Sequence, residues 1–286
     1  MGYSTEQTNT DVVTLRHTVT PDWRQRYLLL ADVHFDSPHC NRKLLRRYLD
    51  QAVECDAGVM VFGDWFDAMQ GRDDKRSSKS DLMTAHKATS YINELIDDSA
   101  EFLAPYAEHL VFLALGNHET GILKHLEVDI LLLLAGTLNT VRMGYSGWVR
   151  FMFQREAGSG TTGHRTTKKL YYHHGSGGGG EVTKGVMRAQ REAAWVGDAD
   201  IYVGSHVHEQ WLVYAERLRL ADSGRVYRDT TAHVCLGTFK DEYVMAGGFH
   251  VERGRTPKPQ GAYWLEFRYS KSAPGEVTFD LYRGGG

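Results

Sequence analysis

Leu110-Val-Phe-Leu-Ala-Leu115, followed at once by Gly116-Asn117-His118-Glu119, is the stretch whose reading decides the fold. The apolar run is too short for a helix and reads as a buried strand. It stops at glycine and presents an amide, an imidazole and a carboxylate. Open α/β sheets deliver ligand groups in this way, at the carboxyl ends of their strands. Two earlier runs behave alike: residues 27–31 end in Asp32-Val33-His34, and residues 58–62 end in Gly63-Asp64-Trp65-Phe66-Asp67. Between them, residues 41–54 have helical periodicity. Leu44, Leu45, Tyr48, Leu49, Ala52 and Val53 form the apolar stripe, and Arg42, Lys43, Arg46 and Arg47 the solvated face. Residues 81–103 read as a long helix. This β-α-β-α-β order predicts parallel strands with right-handed crossovers.

Further along, residues 122–138 read as one helix and residues 148–154 and 169–173 as strands around a Gly/Ser/Thr-rich hairpin at 157–167. A glycine run occupies 175–180, then a helix 181–195 and a strand 201–203 that ends in Gly204-Ser205-His206-Val207-His208. The rest is strand-like and aromatic, at 211–214, 232–236, 262–269 and 277–282, with a Gly- and Pro-rich loop at 246–261. Residues 12–15 read as an edge strand, and the polar residues 1–10 as a frayed terminus. With no internal repeat and no linker, residues 1–286 are expected to form one domain. Its motifs span 32–208, and 209–286 complete a second sheet. A mixed α/β layer followed by more β predicts two packed sheets with helices outside.

Composition bounds the function without choosing it. Apolar content of 42% and charged content of 24% are those of a globular protein, and a net charge of −3 gives no global case for nucleic acid or a membrane surface. Cys40, Cys55 and Cys235 are far apart and odd in number, so they read as reduced thiols. The first 26 residues lack the apolar core of a signal peptide, and the longest aliphatic run, 130–135, is too short to span a bilayer. A cytoplasmic enzyme without membrane contact is the expectation.

The strand ends carry the chemistry. They offer carboxylate, amide and imidazole but no thiolate, a donor set for Mn, Fe, Co, Ni or Zn. There are too many donors for one ion with an open position, but the number suits two ions that share a bridging carboxylate. A two-ion clamp is the device used to hydrolyse phosphate esters. Asp32-x-His34, Gly63-Asp64-x-x-Asp67, Gly116-Asn117-His118-Glu119, His174-Gly175 and His206-x-His208 together resemble the calcineurin-like metallophosphoesterase superfamily. That family's blocks DxH, GDxxD, GNH(D/E), H and GHxH occur here in order, over about three-fifths of the chain.

The resemblance implies a four-layer α/β/β/α sandwich of two mixed sheets flanked by helices. It also implies two divalent transition-metal ions, Mn2+ ahead of Fe, Zn, Ni or Co. One ion would take Asp32, His34 and His208, and the other Asn117, His174 and His206, with Asp64 as bridge. His118 would protonate the leaving oxygen or stabilise the transition state, and Asp67 would orient a ligand. A hydroxide held between the ions would attack phosphorus in line. In this chain Ser205 stands where the family has glycine before the first histidine of the last block. The doublet His173-His174 leaves two candidates, of which His174 directly precedes a glycine.

Glu119 reads as a helix-start residue, and His39, His233 and His250 as bystanders. The 175–180 run formally matches a dinucleotide-binding fingerprint but comes late, after a strand that ends in a candidate ligand; it reads as a rim of the phosphate site. Lys240-Asp-Glu-Tyr243 receives no role. The expected substrate is a phosphodiester, in a nucleic acid or nucleotide, with Arg72, Lys75, Arg76 and Lys79 holding the polyanion. The alternatives are a phosphomonoesterase and a non-catalytic scaffold of the same fold.

Overall fold

A computed structural model of the protein describes residues 2–68, 90–155, 165–243, 251, 254–270 and 276–284. One sheet runs, in spatial order, β13 (Val277–Arg283), β12 (Tyr263–Tyr269), β3 (Arg24–Leu30), β4 (Gly58–Phe62), β5 (Leu110–Ala114) and β6 (Val141–Met143). Strands β3 to β6 are parallel and β12 is antiparallel to both its neighbours. Every residue of β4 and β5 is buried, which explains why these strands read as unbroken apolar runs with no alternation. The second sheet runs β1 (Tyr3–Asn9), β2 (Val12–Val19), β7 (Ser146–Arg155), β8 (Arg165–His173), β9 (Ile201–Gly204), β11 (Val226–Cys235) and β10 (Trp211–Leu220).

The sheets face each other across a core that includes Leu29, Met60, Phe62, Phe112, Phe151, Tyr172, Val203 and Leu265. On the outer face of the first sheet lie α1 (Arg42–Glu54), α2 (Tyr91–Leu103), α3 (Asn117–Leu126) and α4 (Ile130–Thr137), sharing a second core with Leu28, Val59 and Leu113. Helix α5 (Met187–Trp195) covers the outer face of the second sheet, where Trp195 meets Tyr171. The layers are α/β/β/α.

Several expectations need correction. Residues 3–9 are not a frayed end: they pair along β2, and the Tyr3 ring packs on His17 and Tyr27. Strand β2 is therefore longer than 12–15 and lies inside its sheet, with β7 on its other side. The helix read at 122–138 is two. Its break falls where Glu127 adopts a left-handed conformation (φ 55°) and Asp129 caps α4 by accepting the Leu132 N–H at 2.9 Å. The helix read from 181 begins only at Met187, after left-handed Lys184 and Gly185. The described residues from 209 onward complete both sheets: β10 and β11, ten residues each, pair as a hairpin in one, and β12 and β13 lie in the other. Two of the α1 cations are not simply solvated. Arg42 pairs with Asp98 of α2 at 2.7 Å, and the Arg46 guanidinium lies over Phe102.

The inter-sheet core contains a buried imidazole remote from the strand ends. His17 shares a 2.9 Å hydrogen bond with Tyr27 Oη and stacks on Phe153. Burial pushes its pKa down from 6.5 to about 3. Between those values the unfolded chain holds a proton that the folded chain does not, so stability is lost as pH falls through this window. Relative to His17→Gln, the wild type should lose about 2 kcal/mol more between pH 6.5 and 4.5. Urea midpoints measured at both pH values check this, and parallel pH profiles would refute it.

Candidate metal centre

The carboxyl ends of β3, β4, β5, β8 and β9 lie together, and each is followed by a tight polar turn. Asp32 and His34 are two residues apart, at the turning end of β3. Both are left-handed, with φ of 48° and 49°, and this bends the backbone so that the two side chains reach one place. Asp64, His206 and His208 share this conformation at φ of 51°, 76° and 55°. Each such non-glycine residue costs on the order of 1 kcal/mol, and strain of this kind collects at functional sites. Backbone bonds tie the turns together: Asp32 N–H donates to Gly63 O (3.1 Å), His34 N–H to Asp64 O (3.1 Å) and Ser205 N–H to His174 O (3.0 Å). Gly116 cannot be replaced without movement, since a Cβ there would stand 2.1 Å from Asp64 Oδ1.

Two clusters result. In the first, His34 Nε2 and His208 Nε2 face each other at 3.1 Å, and Asp32 Oδ1 lies 3.7 Å from His208 Nε2. His34 Nδ1 is 3.0 Å from Asp67 Oδ1 and His208 Nδ1 is 3.4 Å from Glu242 Oε2. Each ring therefore has a carboxylate beside its outward Nδ1 and turns its Nε2 inward. In the second cluster, Asn117 Oδ1 is 3.1 Å from His174 Nε2 and 2.7 Å from His206 Nδ1, and Asp64 Oδ2 is 3.1 Å from His174 Nε2. His174 Nδ1 donates to the Phe62 carbonyl at 3.0 Å, so a neutral His174 also aims its lone pair at oxygen acceptors. Of the doublet, His174 is fully buried in this cluster, whereas His173 lies opposite Gly204 in the sheet. His118 donates its backbone N–H to Asp64 Oδ1 (3.0 Å) and its Nδ1–H to the Asp67 carbonyl (2.5 Å). Its Nε2 stands 3.9 Å from Asp64 Oδ2.

The electrostatics divide the rings: burial favours the neutral form of His34 and His206, while nearby carboxylates favour the charged form of His174 and His208. Burial holds His34 and His206 down at about 4, as neutral imidazoles. Burial raises Asp32. It opposes the charge of Asp64 too, but there His174 first, then His118, hold the carboxyl well below its usual range. Burial likewise opposes the His174 charge, and Asp64 outweighs it, bringing the ring to about 9. Asp32 Oδ1 is buried without a hydrogen-bond partner among the described residues. An orphan carboxylate oxygen and inward-facing ring nitrogens, with oxygen and nitrogen as the only donors, fit a pair of divalent cations. Among the described residues, three sets of donor atoms lie close enough to hold an ion: Asp32, His34 and His208; Asp64, His174 and His206; and His34, Asp64 and His118.

Sequence reasoning missed several groups here. Glu119 does more than start a helix: its buried carboxylate accepts the N–H groups of Gly116 (2.8 Å), Phe66 (2.9 Å) and Asp64 (3.2 Å). Burial, then Asp64, push it up to about 8. Asp36 accepts the N–H groups of Asp67 (2.6 Å) and Ala68 (2.8 Å). Lys240, read without a role, donates to both Asp67 oxygens at 2.9 and 3.0 Å. Only the DxHxD spacing of Asp32, His34 and Asp36 could have drawn attention to any of these. Arg72, Lys75, Arg76 and Lys79 lie outside the described residues, as does His250.

No protein-family model and no curated protein matches the sequence. Solved structures do. A conserved uncharacterized protein of Streptococcus pneumoniae TIGR4, described as a predicted phosphoesterase, aligns at TM-score 0.34 and 12% identity, over 91% of this chain and 90% of that one. A candidate 5'-nucleotidase of Staphylococcus aureus aligns at TM-score 0.43 and 13% identity, with 91% of this chain spanning 54% of that one. Vps29 of Chaetomium thermophilum aligns at 0.34 and 10%, over 90% and 97%. Likenesses at TM-scores below 0.5 carry no weight for function, which has to be read from the residues of the site. Among the described residues, no helix is long and apolar enough to cross a membrane.

Proposed function

We propose that this protein is a dinuclear metal-dependent phosphoesterase of the calcineurin-like superfamily, acting on phosphodiesters from residues 1–286 as one domain. The observation that carries the reading is the buried Asp32 Oδ1, without a hydrogen-bond partner among the described residues, between two sets of inward-facing imidazole nitrogens. One ion would be held by Asp32, His34 and His208 and the other by Asn117, His174 and His206, with Asp64 common to both. When bound, such a pair supplies Lewis-acid neutralisation of phosphoryl charge and lowers the pKa of attacking water. The protein's own part is to hold these donors rigid, through Glu119, Asp36 and the stitched turns. His118, oriented by the Asp67 carbonyl, would carry a proton on Nε2 toward the leaving oxygen. Its Nδ1 must donate to that carbonyl, so Nε2 is the ring nitrogen that can exchange a proton with substrate.

The diester half of the reading rests on sequence: a cationic segment, 72–79, comes after the strand end that carries Asp64. Metal-free protein titrated with Mn2+ should bind about two ions per chain. Chelation should abolish turnover and Mn2+ should restore it. A panel of single-stranded and duplex DNA, RNA, cyclic nucleotides and aryl mono- and diesters should show diesters ahead of monoesters. One ion or none at saturation, in folded protein, overturns the dinuclear site; monoesters far ahead overturn the diester preference alone.

A further inference from the structure

Residues 238–242 are 170 or more positions from Asp32, His34 and Asp67, yet they lie against them. Thr238 Oγ1 and Phe239 N–H both donate to the Asp32 carbonyl, at 2.7 and 3.1 Å. Asn41 N–H donates to Phe239 O (2.7 Å) and Asp241 N–H to His39 O (2.9 Å), so the segment runs alongside the turn that carries Asp32 and His34. This fixed backbone puts Lys240 Nζ between two carboxylates. It bonds both oxygens of Asp67 and stands 3.5 Å from Glu242 Oε1. Each carboxylate then reaches an imidazole: Asp67 meets His34 Nδ1 at 3.0 Å and Glu242 meets His208 Nδ1 at 3.4 Å.

We propose that Glu242, held by Lys240, is the positioning carboxylate of His208, and that it completes with Asp67 a matched outer pair that turns both Nε2 lone pairs of this cluster inward. The proposal rests on the dinuclear reading above. Its physical basis is the tautomer. A ring whose Nδ1 carries the proton has its Nε2 lone pair free, and an outer carboxylate both selects that form and strengthens the donor. The two carboxylates would repel each other across the site's wall, and the Lys240 ammonium between them offsets this. Because Asp67 and Glu242 share one cation, the two histidines are oriented as a unit. Glu242 touches no reacting atom and acts only through His208.

Calorimetric titration of metal-free protein with Mn2+ tests this. Wild type should show two binding events. Glu242→Ala should weaken one of them by about 10–100-fold and leave the other unchanged. Glu242→Gln, which still presents an acceptor oxygen, should recover most of that loss. Metal-free melting temperatures should stay at the wild-type value, whereas a merely structural Glu242 would lower the melting temperature and leave both affinities intact. Ring-nitrogen NMR of Zn2+-loaded wild type should find the His208 proton on Nδ1, and this holds even if a variant fails to fold. A Glu242→Ala protein that binds both ions as wild type does, or a His208 proton on Nε2, overturns the proposal alone. Wild type that binds no ion pair overturns the dinuclear reading, and this proposal with it.

Discussion

Asp64→Ala protein is expected to bind neither ion tightly and to lose turnover by on the order of 10³-fold or more. Asp64 is a member of two of the three donor sets, those with His174 and His206 and with His34 and His118. Among the described residues no other carboxylate lies in both. It is buried, its Oδ2 stands 3.1 Å from His174 Nε2, and its Oδ1 accepts the His118 N–H. Removing it takes away the proposed shared ligand and leaves His174 without the group that raises its pKa to about 9. The variant's ring should then titrate well below wild type. Mn2+ titration and a steady-state assay on an aryl diester measure the two losses, and circular dichroism confirms that folding is retained. If one ion still binds with wild-type affinity, Asp64 is a terminal ligand and the bridge is misassigned.

His118→Ala should separate chemistry from binding. It is expected to keep both ions and to lower kcat by about 10²–10⁴-fold, the range for removal of a general acid. The geometry behind this is specific. His118 Nδ1 is committed to the Asp67 carbonyl, and its Nε2 stands 3.9 Å from Asp64 Oδ2, outside the contacts of 2.7–3.1 Å that join Asn117, His174, His206 and Asp64. If the proton on Nε2 matters most when the leaving group is poor, the loss should shrink for a good aryl leaving group and be largest for an alkyl one. A series of diesters with graded leaving groups checks that trend. His118 also belongs to a donor set with His34 and Asp64, so metal analysis is the deciding control. Loss of an ion equal to that in Asp64→Ala would make His118 a ligand.

Much of the candidate site was legible because its parts are local. Asp32, Asp64 and Asn117 each come within a few residues of the end of a buried apolar run, and such runs end at one edge of a parallel sheet whatever their neighbours do. His206 and His208 likewise follow the buried β9, and His174 follows β8, of which Leu170, Tyr171 and Tyr172 are buried. The layer order was legible from the alternation of strand and helix. Less could be read where local pattern is neutral. Polar Tyr3–Asn9 becomes a strand only because β2 offers it a partner, and the apolar periodicity of 122–138 runs through a break made by the left-handed Glu127 and the Asp129 cap.

By itself, then, the sequence determined which donors exist, their chemistry and the strand ends that present them. Those are properties of residue type and of runs a few residues long. The tertiary structure alone decided how the donors are aimed. The left-handed turns at Asp32, His34, Asp64, His206 and His208 are unfavourable taken singly and persist because bonds between distant turns hold them. Glu119 reaches back to Asp64 across 55 positions, and Lys240 reaches Asp67 across 173. Contacts of that span leave no periodicity in a chain, because their strength depends on burial and exclusion of water, which arise only once the sheets have closed over them.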